Sequence, residues 1–307
     1  TFGGAGPPSN LAAVDLERLD SLLAERGEPT FRGKQVWEWL ARGARSYAEM
    51  TNLPADLRTT LEEHLPLSTL ELEREAVSRD GTRKALFETA DRRPLETVLM
   101  SYRDGRRSLC LSSQSGCPLT CNFCATGRMS FGRNLTASEI LDQALHFRRR
   151  GPVDHAVFMG MGEPLLNWSA VDVALSILNA PEGFGIGARH ITVSTVGILP
   201  GMTELARRPE QFRLAISLHA TTTPQRLAIM PIEKKYDLEA VLRAAEAFRK
   251  RVTFEYVMIG GVNDTDADAD RLAKLARRLG ALVNILPLHP GGAPGLTPTS
   301  PEGIWRF

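Results

Sequence analysis

The 307-residue chain is long enough for one large α/β domain with a smaller attachment, or for two domains of ordinary size. Its hydrophobic fraction of 43% and charged fraction of 24% are those of a folded globular protein, and no apolar stretch approaches the roughly 18–20 residues of a membrane span. The net charge of +1 does not exclude a nucleic-acid partner, because basic residues are bunched at 103–107, 148–150 and 249–251, where a solvated helix end or loop is the simplest interpretation.

The first 66 residues predict a tail followed by a small helical domain. Residues 1–10 are rich in Gly and Pro and have no apolar pattern, so we expect a flexible tail. Within 11–66, apolar residues recur at helical spacing, first over 16–23 and then over 36–40. A third short helix is expected over 54–66, which is bounded by prolines.

Residues 67–106 change from helical to strand-like patterns. Alternating segments on either side of Asp80-Gly81 indicate a hairpin, because this dipeptide favours a tight turn. Residues 94–100 indicate a further strand. We therefore predict a small β extension here.

Strand-like and helix-like runs alternate over 107–307. One predicted helix begins at a capping box formed by Thr136 and Glu139. Six βα units predict an α/β fold with a parallel sheet curled into a partial (β/α)6 TIM-type barrel, whose chemistry would lie at the carboxyl ends of the strands. The predicted strands are Ser108–Ser113, His155–Gly160, His190–Val196, Arg213–Leu218, Val252–Ile259 and Leu282–Leu288.

All four cysteines lie between residues 110 and 124, which indicates metal binding or redox chemistry in a reducing compartment rather than disulfides. With no signal peptide, we expect a cytoplasmic protein. Cys117, Cys121 and Cys124 form a C-x3-C-x2-C loop after the first barrel strand. Thiolates are the preferred ligands of iron–sulfur clusters, and three would leave one iron of a [4Fe–4S] cluster open for a chelating substrate. A zinc site would need a fourth ligand nearby.

Polar residues follow the next three strands. Gly160-Met-Gly162-Glu163-Pro164 follows the second, where the glycines would let a ligand approach the backbone and Glu163 could receive a methionyl ammonium group. Ser194 follows the third strand and Ser217-Leu218-His219 the fourth, and these could bind a ribose or a carboxylate. Each is singly typical of an ordinary strand end, but together they line one rim.

Five segments of the barrel and β extension, with one in the helical domain, resemble the RlmN-type radical S-adenosylmethionine methyltransferases, which act on adenine C2 of 23S rRNA. The similarity runs from about Leu11 to Pro298. The segments are Glu96-Thr-Val, Cys110-Leu-Ser-Ser-Gln-Ser-Gly-Cys117, Gly160-Met-Gly-Glu-Pro-Leu-Leu-Asn167, Ile216-Ser-Leu-His-Ala220, Phe254-Glu-Tyr-Val-Met258 and Phe31-Arg-Gly-Lys-Gln-Val-Trp-Glu-Trp39.

The resemblance implies a partner and a chemistry. The substrate would be 23S rRNA and also tRNA, at an adenine beside the anticodon, and an external flavodoxin-like protein would donate the electron. Adenine C2 is electron-poor, so the family activates a methyl group held on a cysteine with a radical derived from S-adenosylmethionine. The target base must be flipped out to be reached.

The resemblance also implies residue roles. Glu96 would be the general base and Cys110 would help resolve the covalent protein–RNA intermediate. The three loop cysteines would bind the [4Fe–4S] cluster. The contacts to S-adenosylmethionine would come from Gly162, Glu163, Ser194, Ser217, Leu218, His219 and His289.

The sequence departs from the family pattern at two places. Position 289 is His where the family usually has Asn, although imidazole can still donate and accept one hydrogen bond each. The family's methyl-carrying cysteine lies after the sixth strand, and this sequence has no cysteine after Cys124. Because 300–307 reads as the beginning of a helix and residue 1 is not Met, we expect the natural protein to continue beyond both ends.

Three alternatives remain at this point. The closest is the antibiotic-resistance branch of the same family, which methylates adenine C8 and shares almost every motif. A glycyl-radical activating enzyme would instead act on a protein, which the accessory helices and Glu96 disfavour. A non-enzymatic RNA-binding module would carry no iron–sulfur cluster.

Overall fold

The computed structural model describes residues 16–248, 251–289 and 293–307, so the tail expected at 1–10 and part of the basic run at 249–251 lie outside the described residues. The chain forms two compact units, which are described separately. The first contains the described residues up to Ser112 together with Asn134–Ala156 and Ser169–Gly187. The second contains Ser113–Arg133, Val157–Trp168 and the described residues from Ala188 onward.

The three helices predicted near the amino end are confirmed. They are α1 (Leu16–Glu25), α2 (Phe31–Arg42) and α3 (Ala55–His64). Their apolar faces form the local core, in which Trp37 is buried and Tyr47 donates a hydrogen bond from its hydroxyl to the Leu65 carbonyl at 2.9 Å. Helix α2 ends at Gly43, whose φ of 97° is the left-handed conformation that glycine adopts without steric cost.

The first unit also contains an antiparallel arrangement of four strands. It contains β1 (Leu70–Val77), β2 (Arg83–Thr89), β3 (Pro94–Ser101) and β4 (Arg107–Cys110), each paired with the next. The predicted hairpin at Asp80-Gly81 and the predicted strand at 94–100 are therefore confirmed.

Strand β4 is shorter than the predicted strand Ser108–Ser113. The side-chain amide of Gln143 accepts a hydrogen bond from the Ser112 N–H at 2.9 Å and donates one to the Ser112 carbonyl at 3.0 Å. A side chain thus satisfies the backbone groups that a strand partner would otherwise bind, and the strand ends at Cys110.

Helix α4 (Ala137–Arg148) begins at the predicted capping box, since Thr136 and Glu139 each accept a backbone N–H from the other. At its other end the basic run 148–150 binds the rest of the first unit instead of only facing solvent. Arg148 donates to the Ala41 carbonyl at 2.9 Å, and Arg149 donates to the Leu67 carbonyl at 3.1 Å. These bonds attach the helix to the segments that precede the sheet.

Parallel strands form the second unit. Strand β7 (His155–Phe158) ends in this unit beside β8 (Ile191–Thr195), which is followed by β9 (Arg213–Ser217), β10 (Val252–Met258) and β11 (Leu282–Pro287). Within the run from β8 to β11, each strand is parallel to the next, and β9 and β10 are largely apolar and buried, as expected for strands covered on both faces. The predicted α/β class with a parallel sheet is confirmed.

The remaining elements are short strands before the sheet and helices between its strands. The short strands are β5 (Gln114–Ser115) and β6 (Arg133–Asn134). The helices are α5 (Trp168–Asn179), α6 (Leu199–Arg207), α7 (Thr223–Ile229), α8 (Leu238–Ala247), α9 (Asp266–Leu279) and α10 (Pro301–Arg306). Among the described residues, no helix has the length and apolar character required to cross a bilayer.

A cluster of charged side chains joins β1 to α4 around the carboxylate of Glu75. Arg150 donates to this carboxylate, Arg83 lies 2.8 Å from it and the His146 ring nitrogen lies 2.9 Å from it. Burial alone would raise the pKa of Glu75, but the hydrogen bonds from Arg150, His146 and Arg83 outweigh burial and lower it to about 2.

We predict that Glu75→Gln lowers the free energy of unfolding by about 1–3 kcal/mol at pH 7. Because the folded-state pKa lies below the ordinary value of 4.5, the contribution is present above that pH and is lost as the pH falls toward 2. Denaturant unfolding at pH 7 and pH 3 measures it, with the exposed Glu63→Gln as the control. A variant as stable as the parent at pH 7 would show that the cluster contributes nothing.

Candidate functional site

The cysteine loop follows β5 and is attached to the fold at both ends. Gly116 precedes it with a φ of 74°, and a Cβ there would lie 2.4 Å from the Ser130 carbonyl oxygen, so the loop can begin in this conformation only at glycine. Asn122 holds the middle of the loop, because its N–H donates to the Ile229 carbonyl at 3.1 Å and its side-chain amide donates to the Ala228 carbonyl at 3.0 Å. The loop conformation is therefore set by protein contacts.

The three loop thiols line one cavity. Burial raises the pKa of Cys117 to about 11 and that of Cys121 to about 12, and the neighbouring thiols and Glu163 add to both shifts. Uncharged thiols in so buried a place become thiolates when a metal ion compensates the negative charge. The loop therefore has the donor set of a metal centre.

The spacing of the three sulfurs distinguishes between metal centres. A single zinc ion holds its sulfur ligands about 3.8 Å apart, as follows from Zn–S bonds of about 2.3 Å in a tetrahedron. The three loop sulfurs do not all lie within 4.8 Å of one another; within the described part of the chain, the carboxylates of Glu71, Glu73 and Glu88 do. A cubane binds each thiolate to a different iron, so the wider spacing fits an iron–sulfur cluster better than it fits zinc.

The loop after β7 packs directly against the segment that leads into the cysteine loop. Gly162 has a φ of 97°, and a Cβ there would lie 2.5 Å from the Cβ of Gln114. The Gln114 side-chain oxygen accepts the Glu163 N–H at 2.8 Å, and the Ser113 N–H donates to the Met161 carbonyl at 2.9 Å. The absence of a side chain at position 162 is thus a condition for this contact.

The Glu163 carboxylate is buried between two strand ends. It accepts the Val196 N–H at 2.9 Å and the Leu165 N–H at 3.1 Å. Burial raises its pKa to about 7, although these backbone hydrogen bonds and one from the Thr195 side chain act in the opposite direction. Glu163 therefore both lines the cavity and joins the ends of β7 and β8.

The ends of β8 and β9 add two hydroxyls and an imidazole to the cavity wall. The hydroxyl oxygens of Ser194 and Ser217 lie 3.5 Å apart. His219 has a φ of 55°, and its Nδ1 accepts the Val257 N–H at 3.1 Å. Burial, together with the charge of Arg226, lowers the pKa of His219 to about 3, so its ring is neutral with the proton on Nε2.

These side chains enclose a cavity of about 440 Å³ in the second unit, large enough for a small-molecule ligand. Six of its lining residues, together with the three loop cysteines, were predicted from the sequence to form the site. Leu218 is the exception among the predicted contacts, since it is fully buried and its N–H donates to the Glu255 carbonyl at 3.0 Å. The predicted residues that line the cavity are Cys117, Cys121, Cys124, Gly162, Glu163, Ser194, Ser217, His219 and His289.

The two remaining predicted residues belong to the first unit. Glu96 lies on β3 with 43% of its side chain exposed, and its carboxylate is 3.0 Å from the amino group of Lys84. Cys110 ends β4 opposite Val98, and its carbonyl accepts the Thr97 hydroxyl at 2.8 Å.

Three residues near the cavity were not predicted from the sequence. Gln114 and Glu255 both lie inside segments that carry the resemblance to the family. The sequence therefore pointed to these segments, but it assigned no role to either residue. Arg226 has no such signal. It is fully buried in α7, forms an ion pair with Glu233 and donates to the Val196 carbonyl. Its positive charge adds to the lowering of the His219 pKa by burial, and it opposes the rise in the pKa of Cys121 without reversing it.

Comparison with known proteins defines the class of this chain. A family model described as "Radical SAM superfamily" matches residues 111–276, and one described as "Ribosomal RNA large subunit methyltransferase N-terminal domain" matches residues 9–67. The crystal structure of a radical SAM methyltransferase from Sphaerobacter thermophilus superimposes with a TM-score of 0.91 at 43% identity, over 97% of this chain and 91% of that chain. The chain is therefore a radical S-adenosylmethionine methyltransferase, and the predicted partial barrel is confirmed.

Curated relatives specify the family further. A probable dual-specificity RNA methyltransferase RlmN from Gemmatimonas aurantiaca is 51% identical over 95% of this chain and 82% of its own length. The dual-specificity RNA methyltransferase RlmN from Anaeromyxobacter dehalogenans is 44% identical over 97% of this chain and 84% of its own length. The chain belongs to the RlmN family. Membership implies a [4Fe–4S] cluster and S-adenosylmethionine.

We predict that Gly162→Ala lowers the free energy of unfolding by about 2–4 kcal/mol, because the new Cβ collides with Gln114 and the residue is strained at positive φ. Gly261→Ala is the matched control, since Gly261 also has a positive φ of 72° but nothing within 4 Å of its would-be Cβ. Denaturant unfolding of both variants separates collision from strain. Equal losses would mean that the contact with Gln114 is not tight.

Proposed function

We propose that this protein methylates C2 of an adenine in 23S rRNA, and of an adenine beside the tRNA anticodon. The observation that carries the proposal is the single cavity that joins three separated thiols to a rim of polar strand ends. The family relationship supports an RNA substrate, because the relatives of this chain are named as dual-specificity RNA methyltransferases.

In this proposal Cys117, Cys121 and Cys124 would hold the [4Fe–4S] cluster, which would also supply a binding site for the amino and carboxylate groups of S-adenosylmethionine. When bound, the cluster supplies the electron that splits S-adenosylmethionine, and a flavodoxin-like protein would deliver that electron. The protein fixes the geometry in advance through Asn122 and Gln114, which hold the two loops in place by hydrogen bonds to the backbone.

The residues proposed to bind S-adenosylmethionine lie at different positions along the cavity. The Gly162–Glu163 turn lies at the thiol end, where the Glu163 charge raises the pKa of Cys117 and Cys121. Ser194, Ser217 and the Nε2–H of His219 offer hydrogen bonds farther along the strand ends, with the Leu218 backbone beside them. His289, which is exposed and lines the same cavity, would complete the set from the segment after β11.

Glu96 and Cys110 would act on the RNA. Glu96 is suited to accept a proton because its carboxylate is partly exposed, and the amino group of Lys84 lies 3.0 Å from it. Cys110 would resolve the covalent protein–RNA adduct. The methyl carrier would be a further cysteine C-terminal to β11, and residues up to 307 contain none there.

We predict that Cys121→Ala abolishes cluster binding, because two thiolates cannot hold the cubane. Anaerobic reconstitution of the unchanged chain should give about one [4Fe–4S] per chain, seen as absorbance near 400 nm and by iron and sulfide analysis. Cys110→Ala is the matched control and should load normally, since Cys110 is placed outside the cluster ligands. Normal loading of Cys121→Ala would contradict the ligand assignment.

For the RNA step, we predict that Glu96→Gln leaves reductive cleavage of S-adenosylmethionine within about twofold of the parent but lowers RNA methylation at least 100-fold, because general acid–base groups contribute typically 10²–10⁴. The assay uses protein that includes the carrier cysteine, counts methyladenosine by mass spectrometry and locates the methyl on C2 or C8. Glu71→Gln, an exposed glutamate on β1, is the control. If Glu96→Gln methylates RNA at the parental rate, Glu96 is only a surface carboxylate and not the general base.

A further inference from the structure

A row of polar side chains crosses four neighbouring strands of the second unit. Ser217 on β9 pairs in register with Glu255 on β10, and Glu255 pairs in register with Asn284 on β11. Ser194 on β8 extends the row, with its hydroxyl oxygen 3.5 Å from that of Ser217. Strands β9 and β10 are otherwise largely apolar and buried, so packing alone does not require polar side chains at this level.

Among the side chains of this row, Glu255 has the highest free-energy cost of burial, because it is a carboxylate. It is only 6% exposed, and burial raises its pKa. The Asn284 side-chain amide donates to Oε2 of Glu255 at 2.7 Å, which fixes the carboxylate in place but is only a neutral partner for it. The carboxylate also lines the cavity, beside Ser217 and Ser194. A buried acceptor facing a ligand cavity is expected to gain its remaining hydrogen bonds from the ligand.

We propose that Glu255 binds the ribose hydroxyls of S-adenosylmethionine, and that Asn284 positions the Glu255 carboxylate for this contact. The inference rests on the proposed function, which places S-adenosylmethionine in the cavity. A ribose offers two adjacent O–H donors, and a carboxylate offers acceptors only, so the two are complementary. The hydroxyls of Ser194 and Ser217 can both donate and accept, and they extend the same polar surface.

The position of Glu255 along the sheet favours ribose over the positively charged methionyl group. Glu163 follows β7 and its charge acts on Cys117 and Cys121, so that side of the cavity is the thiol end. Glu255 lies on β10, three strands farther along the order β7–β8–β9–β10. A ligand whose amino and carboxylate groups lie at the thiol end presents its nucleoside toward β10.

The test compares nucleosides that lack the methionyl group. The probes are 5′-deoxyadenosine and its 2′-deoxy and 3′-deoxy derivatives, and binding to the anaerobically reconstituted protein is measured by titration calorimetry. Glu255→Gln keeps the size of the side chain but replaces one acceptor with a donor. Thr253→Val, two residues earlier on the same face of β10 and outside the cavity lining, is the matched control. Asn284→Asp, at an exposed position, perturbs the carboxylate without altering β10.

We expect Glu255→Gln to weaken 5′-deoxyadenosine binding about tenfold or more, and Asn284→Asp to weaken it in the same direction. The derivative that lacks the contacted hydroxyl should bind the parent protein about tenfold more weakly and lose little more on Glu255→Gln, which is the signature of a direct contact. Thr253→Val should bind as the parent does.

Two results would overturn the inference alone. One is unchanged 5′-deoxyadenosine binding by a folded Glu255→Gln variant. If the same variant binds S-adenosylmethionine more weakly, Glu255 faces the methionyl charge and not the ribose. The other is an equal loss for 5′-deoxyadenosine and for both derivatives, which would indicate a structural role. Failure of the parent protein to bind S-adenosylmethionine at all would instead overturn the proposed function together with the inference.

Discussion

The hydrogen bond between the Glu163 N–H and the Gln114 side chain, 2.8 Å long, fixes the arrangement of the cavity. It joins the segment that leads into the cysteine loop to the loop after β7. The Glu163 carboxylate then continues the connection to the end of β8 through the Val196 N–H. Glu163 thus links the segment before the cysteine loop, the loop after β7 and the end of β8. Gly162 makes this possible, since a side chain there would occupy the space of Gln114.

Electrostatics around the cavity follow from burial more than from net charge. Arg226 and Glu233 form a fully buried pair behind the wall, where each charge compensates the other. Burial lowers the pKa of His219 and the charge of Arg226 adds to that shift, while the same charge only partly offsets the rise in the pKa of Cys121. His219 therefore stays neutral throughout the physiological range and serves as a hydrogen-bond donor. A cationic ligand meets buried carboxylates and thiols in this cavity, and the neutral ring of His219 does not repel it.

Local patterns were enough to predict most elements and to single out the cysteine loop. Cysteine spacing and the polar residues after buried strands are short-range signals, and they identified nine of the residues that line the cavity. The sequence was less informative where a partner lies far away in the chain. The early end of β4 depends on Gln143, and the role of Gln114 depends on a residue 49 positions later. The role of Arg226 could not be predicted for the same reason, because its burial follows from tertiary packing.

The basic run 148–150 shows the same limitation from another side. Its residues looked like a solvated helix end, but Arg148 and Arg149 bind carbonyl groups of residues that lie more than 80 positions earlier. Charge clustering in a sequence does not show whether a basic side chain faces solvent or donates hydrogen bonds to backbone carbonyl groups elsewhere in the fold. The neighbouring Arg150 does both, since it is partly exposed and contacts Glu75.

Asn122 holds the cysteine loop by two hydrogen bonds to the end of α7, and neither bond involves a sulfur atom. These two bonds restrain the loop through contacts within the protein. Oxygen destroys exposed iron–sulfur clusters, and a loop that unfolded with each loss would expose three thiols to disulfide formation. A loop anchored through Asn122 would restrain those thiols after such a loss. If these cysteines hold the cluster that membership of the family implies, repair would then call for the resupply of iron and sulfide to a restrained loop and not for the refolding of the chain.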